Sequence, residues 1–382
     1  MRLAVVVPIC VGRDAISAAA AAQAALAAML PGVDRVDLFA EWIDRPLTVP
    51  GHVVPGPSAL LAHPRFRRAD AAIFHWGIHC PTFDALTVTA DHGPPTAVMF
   101  HNMTPAALFE SPERAALMAR SRVQLAHLVS LSLTWWTYSE ENRRALVAND
   151  VDAPVRFVPF PITAPRPLVR PARTGPLRLL AIGRLDPAKG TDILVEAAGL
   201  LVAGRAPRFV LELVGNSTFS LPDFAPGLRR RIRELGLSPV VTISPDVDDD
   251  GLWARLERAD VVVAPSRHEG LCVPVVEAYL AGCRVVAADG GNLRYLVHPP
   301  DPVVPAGDAA ALAAAISSVC SQVLYGRSAD RSAATSVTAA FSEATARRAL
   351  VSALDELTSV ESCSPYPWPA VLKGPGPDPA AA

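Results

Sequence analysis

The chain alternates short apolar runs with longer helical segments along most of its length, and this feature constrains the fold most. Apolar runs of strand length that alternate with helical segments are typical of βα units with a parallel sheet. The strands predicted for the first half lie near 3–8, 35–39, 71–75, 96–100, 132–138 and 155–159. The clearest helices of this half are predicted at 14–30, 112–130 and 140–149. We therefore expect an α/β fold.

A proline-rich stretch interrupts the alternation. Residues 159–176 read PFPITAPRPLVRPARTGP, and their six prolines prevent regular helix or sheet pairing. The alternation then resumes, with strands predicted near 177–182, 208–214, 239–243, 260–264 and 284–287 and a helix at 308–323. This organisation predicts two αβα halves that face a cleft, with ligands bound at the carboxyl ends of the strands.

The same patterns divide the chain into five parts. They are an N-terminal domain at 1–160, a linker at 161–176, a C-terminal domain at 177–340, a helix at 341–360 and a tail at 361–382. The helix is amphipathic and follows a completed domain, so we expect it to return to the N-terminal domain and bury its leucines there. The tail is too rich in proline and glycine to fold alone, and we expect it to be disordered.

Composition excludes some classes of partner and location. A net charge of −2 and a pI near 6.5 disfavour a nucleic-acid-binding protein. Six scattered cysteines without a C-x-x-C pair are expected to be free thiols in a reducing cytosol. No apolar run reaches the roughly 18 to 20 residues of a membrane span. Arg13 and Asp14 interrupt the first apolar run, which favours a buried strand over a signal peptide. We expect a cytoplasmic protein.

Residues 260–286, DVVVAPSRHEGLCVPVVEAYLAGCRVV, place two carboxylates around a predicted helix start. Glu269 lies in the loop after a buried strand, and Glu277 follows eight residues later, after Pro274 in the first helical turn. Free backbone N–H groups at a helix start form an anion site. Here they belong to Gly270, Leu271, Cys272 and Val273.

This layout has two interpretations. In the first, the amides bind the phosphates of a nucleoside diphosphate sugar, one carboxylate binds the sugar hydroxyls and the other binds the ribose diol. In the second, Glu269 is an ordinary loop charge and Glu277 stabilises the helix dipole. Physical arguments on these residues alone leave both open.

A second stretch, LLAIGRLDPAKGTD at 179–192, carries two cations. The predicted strand ends at Gly183, and the loop after it contains Arg184 and Lys189. An arginine fork and a lysine point charge at a strand's carboxyl end suit a diphosphate, although exposed loop cations remain the alternative. Only two of the 35 basic residues are lysines, and Lys189 is the one within the predicted domains. That rarity also points to a site that uses a compact ammonium, unless it is chance.

The spacing Glu269-x7-Glu277, together with GRLDPAKGTDILVEA and LVGNS upstream, resembles the retaining glycosyltransferases of the GT-B fold called group 1, or glycosyltransferase family 4. The resemblance is specific over 177–325 and weaker over the first half, where His101 follows a buried strand. It implies a GT-B fold of two Rossmann-like αβα domains facing a cleft. The N-terminal domain would bind the acceptor and the C-terminal domain the nucleotide sugar.

The resemblance also implies roles for individual residues. Arg184 and Lys189 would hold the pyrophosphate beside Gly183. Glu277 would bind the ribose, Glu269 the hexose, and His101 would contact the sugar near the reacting carbon. The loop Pro8 to Arg13, with Gly12, would close over the phosphates, although it lacks the glycine pair that relatives usually carry. Cys272 and Arg294 also depart from the usual residues of the family, which bears on donor choice.

The implied reaction moves a hexose from a nucleotide sugar to a hydroxyl of a glycan, a lipid-linked molecule or a small molecule, in cell-surface polysaccharide or glycoconjugate synthesis. It would need no other cofactor and no divalent metal. The string Asp248-Asp249-Asp250 resembles a metal-binding D-x-D, but it precedes a predicted helix and is expected to cap it. His75 and His79 lack a third metal ligand.

Two alternatives to this transferase stay open. One is a nucleotide-sugar-binding protein with little turnover, and the other is a GT-B epimerase or phosphorylase. Peripheral contact with a membrane is a separate question, raised by the arginine clusters at 65–68 and 229–233.

Overall fold

The chain forms two compact units in the computed structural model, which describes residues 1–12, 14–108, 111–172, 174–204, 206–216, 221, 223–245, 247–326, 331–359 and 367–373. The first unit comprises Met1–Pro161 and Ala340–Pro369, and the second comprises Ile162–Ala339 and the described residues 370–373. The segments predicted as domains at 1–160 and 177–340 therefore fall almost entirely in separate units. The helix expected at 341–360 lies in the first unit.

The described strands of the first unit form two parallel sheets. They are β1 (Arg2–Val6), β2 (Ile9–Val11), β3 (Arg35–Ala40), β4 (Trp42–Asp44), β5 (Gly51–Val53), β6 (Ala71–Trp76), β7 (Thr96–Phe100), β8 (Thr134–Thr137) and β9 (Arg156–Phe157). The main sheet has seven strands in the order β5-β3-β1-β6-β7-β8-β9, and β2 pairs with β4 in a separate ribbon. The sequence patterns did not predict this ribbon, because three-residue strands are too short to show a period.

The helices of the first unit begin at polar capping residues in several cases. Its described α-helices are α1 (Ala15–Ala28), α2 (Pro57–Ala62), α3 (Leu86–His92), α4 (Pro112–Val129), α5 (Glu140–Val147) and α13 (Glu343–Thr358). The Asp14 carboxylate accepts from the backbone N–H of Ser17 at 2.7 Å, and Ser342 caps α13 in the same way. On α13, Glu356 forms an ion pair with Arg156 of β9, which ties the last helix to the sheet.

The second unit contains a parallel sheet of six strands with helices between them. The strands are β10 (Leu177–Arg184), β11 (Phe209–Asn216), β12 (Val241–Pro245), β13 (Val261–Ala264), β14 (Arg284–Ala288) and β15 (Val303–Val304). The α-helices are α6 (Thr191–Ala203), α7 (Phe224–Glu234), α8 (Asp249–Arg258), α9 (Val273–Leu280), α10 (Leu293–Leu296), α11 (Ala309–Leu324) and α12 (Ser332–Ala340). The spatial order is β12-β11-β10-β13-β14-β15.

Both main sheets have the strand order of Rossmann-like domains. Numbered within its own unit, the second sheet runs 3-2-1-4-5-6, and the main sheet of the first unit continues the same order to a seventh strand. In such sheets the order in which strands are added reverses between the first and fourth strands, which lie side by side. Ligands bind beyond the carboxyl ends of these two strands. In the second unit those strands are β10 and β13.

The proline-rich linker packs along the second unit. The guanidinium of Arg166 donates to the Glu257 carboxylate at 2.5 and 2.9 Å. Arg170 donates to the backbone carbonyls of Ala259 and Ala281 at 2.6 and 2.8 Å, at the ends of α8 and α9. Arginine side chains thus fix a segment that prolines keep out of regular structure, and from Ile162 onward it belongs to this unit.

Part of the expected disordered tail is ordered. The indole N–H of Trp368 donates to the Val155 carbonyl at 3.4 Å, and its ring centroid lies 5.0 Å from that of Phe157. Leu372 is buried as well. The expectation therefore differs from the structure over 367–373, because aromatic and apolar side chains find surfaces to cover. The remainder of 361–382 lies outside the described residues.

The two cores differ in composition. Aromatic side chains make up a third of the first core, and Trp76, Trp135 and Trp136 of the first unit are almost fully buried, whereas nearly all side chains of the second core are aliphatic. In the described part of the chain, no helix combines the length and apolar character needed to cross a membrane.

Candidate functional site

The predicted phosphate-binding and sugar-binding loops of the second unit start from neighbouring strands. β10 and β13 pair in parallel, with Leu179 opposite Val261 and Leu180 opposite Val262. The segments that follow them, 184–190 and 265–273, therefore leave the same edge of the sheet. This is the edge at which an open parallel sheet of this order binds its ligands.

The loop after β10 requires glycine at one position. Gly190 has φ of 64°, and a Cβ atom there would lie 1.9 Å from the Pro265 carbonyl oxygen in the loop after β13. Before it, a single 3-10 turn spans Pro187–Lys189, and after it α6 begins at Thr191. The glycine thus permits the positive φ and lets the two loops touch.

Arg267 joins the same two loops, and the sequence analysis did not single it out. Its backbone N–H donates to the Ala188 carbonyl at 2.8 Å. Its guanidinium donates to both carboxylate oxygens of Asp192 at 2.9 and 2.7 Å, and it also contacts the Pro187 carbonyl. A bidentate pair of this kind sets the geometry of both segments. The only signal in the sequence was an arginine two residues before Glu269.

The structure brings Lys189 and Glu269 into direct contact. Nζ of Lys189 donates to Oε1 of Glu269 at 2.7 Å, and the Ser266 hydroxyl donates to the same oxygen at 2.7 Å. Glu269 is buried, which by itself would raise its pKa, but the charge and hydrogen bond of Lys189, the Ser266 hydroxyl and the Arg184 charge outweigh burial. The pKa of Glu269 is therefore lowered, and its carboxylate is ionised at neutral pH.

Arg184 lies beside this cluster at the end of β10. Its Nη2 is 3.5 Å from Oδ2 of the fully buried Asp186, and its side chain is about one third exposed. The guanidinium thus keeps part of its surface open at the edge where Lys189 is also found. Gly183 precedes it within β10.

The segment between the two predicted carboxylates has open backbone amides. Within the described residues, no hydrogen bond of the N–H groups of Gly270, Leu271, Cys272 and Val273 is recorded. Cys272 precedes α9 with φ of 73° and ψ of 70°, a left-handed conformation that is strained for a residue with a side chain.

The loop after β14 packs against the segment 266–271 and forms hydrogen bonds with its backbone. A Cβ at Gly290 would lie 2.0 Å from the Ser266 carbonyl oxygen, so only glycine fits there. The N–H of Asn292 donates to the Glu269 carbonyl at 2.9 Å, and its side-chain amide donates to the Leu271 carbonyl at 3.3 Å. These contacts fix the backbone that carries Glu269 and the open amides.

Glu277 lies in α9 and is half-buried. Burial, with the charge of Asp249 in α8, raises its pKa to about 7. Among the described residues, no side chain or backbone group forms a hydrogen bond or ion pair with its carboxylate. A carboxylate that is desolvated without a partner is destabilised, and hydroxyl donors from a ligand would relieve that cost.

His101 and Gly12 belong to the first unit, whereas the cluster just described belongs to the second. His101 follows β7 and is buried, with its two ring nitrogens at hydrogen-bond distance from His75 and Tyr138. Gly12 is exposed, and nothing lies within 4 Å of a Cβ placed on it. The loop expected to close over phosphates contains β2, whose Val11 N–H donates to the Ser17 hydroxyl at 3.1 Å. Arg13 lies outside the described residues.

Some residues of the candidate metal and lipid sites have local partners. Asp248 caps α8 by accepting from the Gly251 N–H at 2.8 Å, as expected. Over the described ranges, no group of three or more His, Cys, Asp or Glu side chains is placed to share a metal ion. In α7, Arg231 pairs with Glu196 and Glu234, and Arg230 pairs with Glu234.

Comparison with known proteins finds a family similar to most of the second unit. Residues 176–322 match the model of the family described as Glycosyl transferases group 1. A D-inositol 3-phosphate glycosyltransferase of Thermomonospora curvata is 36% identical over 123 residues, which are 31% of this chain and 28% of that protein. The matched part thus spans less than a third of the length of this relative.

Solved structures match over nearly the whole chain. The sucrose-phosphate synthase of Thermosynechococcus elongatus has a TM-score of 0.73 at 19% identity, covering 94% of this chain and 99% of that one. HepE of Anabaena in complex with UDP-glucose has a TM-score of 0.69 at 20% identity, covering 93% and 100%. The fold is therefore GT-B, with two Rossmann-like domains, as the sequence resemblance implied.

Proposed function

We propose that this chain, a GT-B protein whose residues 176–322 match the model of the group 1 glycosyl transferases, transfers a hexose from a nucleoside diphosphate sugar to a hydroxyl acceptor with retention of configuration. The observation that carries the proposal is the cluster at the ends of β10 and β13. There Arg184, Lys189 and ionised Glu269 meet at the start of a segment with open amides.

The cluster matches the parts of a nucleotide sugar. Arg184, Lys189 and the amides of 270–273 supply positive charge and hydrogen-bond donors for the diphosphate. Glu269, ionised and buried, accepts from hydroxyls of the hexose. Glu277, without a protein partner, accepts from the two ribose hydroxyls. In the solved HepE complex the bound ligand is UDP-glucose, which makes this the first donor to test.

The proposed chemistry depends on stabilising the leaving group. As the bond between the anomeric carbon and the diphosphate breaks, negative charge grows on the diphosphate, and Arg184 and Lys189 stabilise it. The acceptor hydroxyl attacks from the face that the diphosphate leaves and passes its proton to an oxygen of the departing diphosphate, so the new glycosidic bond retains the configuration. His101 contacts the sugar and helps to position it. Fixed cations take the role that a divalent metal has in other transferases, so we propose a metal-independent reaction.

The test is product analysis. Purified protein is incubated with UDP-glucose, or with other nucleotide hexoses, and a panel of hydroxyl acceptors that includes a polyol phosphate, the substrate class in the name of the relative from T. curvata. Proton NMR of the product should show the anomeric configuration of the donor. An inverted product would contradict retention, an epimerised donor would favour an epimerase, and saturable binding without turnover would favour a binding protein.

A matched pair of variants separates the site from general stability. Arg184→Ala removes a proposed phosphate ligand, whereas Arg230→Ala removes an exposed arginine of α7 that pairs with Glu234 at 3.6 Å. The first should lower kcat/KM by about one to two orders of magnitude, since a charge-assisted hydrogen bond contributes roughly 1.5 to 3 kcal/mol. The second should change it by less than about threefold, because exposed ion pairs contribute little.

Peripheral membrane contact remains a prediction. Arg65, Arg67 and Arg68 are exposed, and in the described part of the chain no ion pair of theirs is recorded, unlike Arg230 and Arg231 of α7. If they contact anionic lipid, the protein should float with vesicles that contain an acidic phospholipid, and replacing all three arginines with alanine should abolish flotation.

A further inference from the structure

Two histidines and a tyrosine form a buried hydrogen-bonded chain in the first unit. Nδ1 of His75 lies 2.9 Å from Nε2 of His101, and Nδ1 of His101 lies 2.8 Å from the Tyr138 hydroxyl. All three residues are buried, His75 almost completely. Both ring nitrogens of His101 are therefore committed to protein partners.

Neighbouring strands place the three side chains together. His75 lies in β6, opposite Met99 of β7, while His101 and Tyr138 are the residues that follow β7 and β8. The backbone N–H of His101 donates to the Trp76 carbonyl at 2.8 Å. A Cβ at Gly77 would lie 3.2 Å from Cβ of His101, so the residue after β6 has little room for a side chain.

The direction of the two hydrogen bonds follows from the group at one end of the series, the Tyr138 hydroxyl. A phenol hydroxyl is a stronger hydrogen-bond donor than a neutral imidazole N–H, so we assign the Tyr138 hydroxyl as the donor to Nδ1 of His101, 2.8 Å away. Burial lowers the pKa of both histidines, so each ring carries a single hydrogen at neutral pH. His101 then carries its hydrogen on Nε2 and donates it to Nδ1 of His75, which in turn is protonated on Nε2.

We propose that His75 is a positioning residue that fixes the ring orientation of His101 by accepting the hydrogen of its Nε2, while Tyr138 sets the tautomer. The imidazole torsion is otherwise broad, and a donor at Nδ1 together with an acceptor at Nε2 removes that freedom. His101 thus offers the sugar a fixed, uncharged ring instead of a mobile one. This inference rests on the proposed function, in which His101 contacts the donor sugar.

His79 is not part of the hydrogen-bonded chain of His75, His101 and Tyr138. The backbone N–H of His79 donates to the Ser121 hydroxyl at 2.9 Å, and no contact between the His79 ring and His75 is recorded within the described residues. The Tyr138 ring also packs edge-on against His101 and against Phe160. These contacts fix the position of the tyrosine in the chain of rings formed by His75, His101 and Tyr138.

The first experiment measures the tautomers directly and needs no turnover. Long-range nitrogen–proton NMR of the 15N-labelled protein at pH 7, with His75→Asn and His101→Asn for assignment, should show neutral Nε2–H forms for both histidines. An Nδ1–H form or a positive charge on His101 would overturn the inference. If the wild type turns over no donor, the proposed function fails, and the tautomer result alone decides whether the arrangement exists.

The second experiment separates positioning from stability. His75→Asn retains an acceptor oxygen near the place of Nδ1, whereas His75→Leu removes it. We expect the asparagine variant to stay within about threefold of wild-type KM for the donor, and the leucine variant to raise KM about tenfold with kcat nearly unchanged, because ground-state placement of the sugar is lost. Equal losses in both variants would overturn the inference.

Two further variants keep the test decisive. Tyr138→Phe removes the hydrogen donated to Nδ1 of His101 and should shift the His101 tautomer, even if His75→Leu fails to fold. His63→Leu is the matched control, because His63 lies in the same unit against Phe39 and outside the chain of rings. It should leave the donor KM and the His101 tautomer unchanged, and a shift in either would mean that the readouts report general destabilisation and would overturn the inference.

Discussion

The ammonium of Lys189 donates to Oε1 of Glu269 across a distance of 2.7 Å, and this pair joins the carboxyl ends of β10 and β13. One partner is the proposed ligand of the diphosphate and the other the proposed ligand of the hexose. Because Lys189 lowers the pKa of buried Glu269, the charge state of the sugar ligand depends on the phosphate ligand. The two subsites are therefore coupled electrostatically.

Replacing Lys189 should reveal this coupling. Lys189→Ala leaves a buried carboxylate without its cation, which should destabilise the protein by about 3 kcal/mol. Glu269→Gln retains a group that can accept from Ser266 and should destabilise it less. Adding Glu269→Gln to Lys189→Ala should recover part of the loss, since the uncompensated charge is gone. Urea unfolding of the two single variants and the double variant measures the effect.

Binding of UDP to the same variants supplies the control. Lys189→Ala should weaken UDP binding roughly ten- to hundredfold, while Glu269→Gln should leave it nearly unchanged because UDP carries no hexose. Isothermal titration calorimetry distinguishes these outcomes. Additive stability losses in the double variant, or wild-type UDP affinity without Lys189, would contradict the assigned roles.

Glu277 should affect stability and binding in opposite directions. Its pKa is raised to about 7, so between pH 4.5 and 7 the folded protein binds a proton that the unfolded chain has released. Stability should therefore fall as pH rises through this window, by no more than roughly 3 kcal/mol, since Glu277 is partly exposed. Glu277→Gln should be more stable than wild type at pH 8 and nearly equal below pH 4.5, by thermal unfolding.

The same variant should bind UDP more weakly at pH 8, because a neutral amide is a poorer acceptor for the ribose hydroxyls. In the wild type, UDP affinity should decline as pH falls below about 7, where Glu277 becomes protonated. Asp249→Asn is the matched control, since it removes the neighbouring charge and should move this decline to lower pH. A pH-independent affinity in the wild type would argue against a ribose contact by Glu277.

Gly190→Ala should disrupt the contact between the two loops. Its Cβ would lie 1.9 Å from the Pro265 carbonyl oxygen, and its φ is 64°. Gly236 has a similar φ of 67° but nothing within 4 Å of an added Cβ. Gly236→Ala should therefore cost only the backbone strain, about 1 kcal/mol, whereas Gly190→Ala should cost more and abolish UDP binding. Equal Tm shifts for the two variants would contradict the steric argument.

Removal of divalent metal should leave transfer intact. With Arg184 and Lys189 as fixed cations, we expect the initial rate in excess EDTA to stay within about twofold of the rate in buffer. Asp249 and Asp250 are the side chains to replace if EDTA abolishes activity and Mn²⁺ restores it. That result would overturn the assignment of Asp248 as a helix cap alone.

Local patterns were sufficient to predict most of the repeating strands and helices. Runs of apolar residues predict β10, β13 and β14 within a few residues, and Pro274 marks the start of α9 correctly. These features follow from burial and backbone preferences that act over a few residues. The short ribbon of β2 and β4 escaped prediction because its strands are stabilised by each other rather than by a local pattern.

The sequence by itself determined the alternation of strands and helices, the break at the prolines and the residue types around Glu269. Only the tertiary structure decided which side chains meet: Lys189 with Glu269 across 80 residues, Arg267 with Asp192, and His75 with His101. The physical reason is that sheet order brings distant strand ends together, whereas hydrophobic periodicity specifies each strand alone. A side chain's pKa, partner and tautomer depend on neighbours that no local pattern encodes.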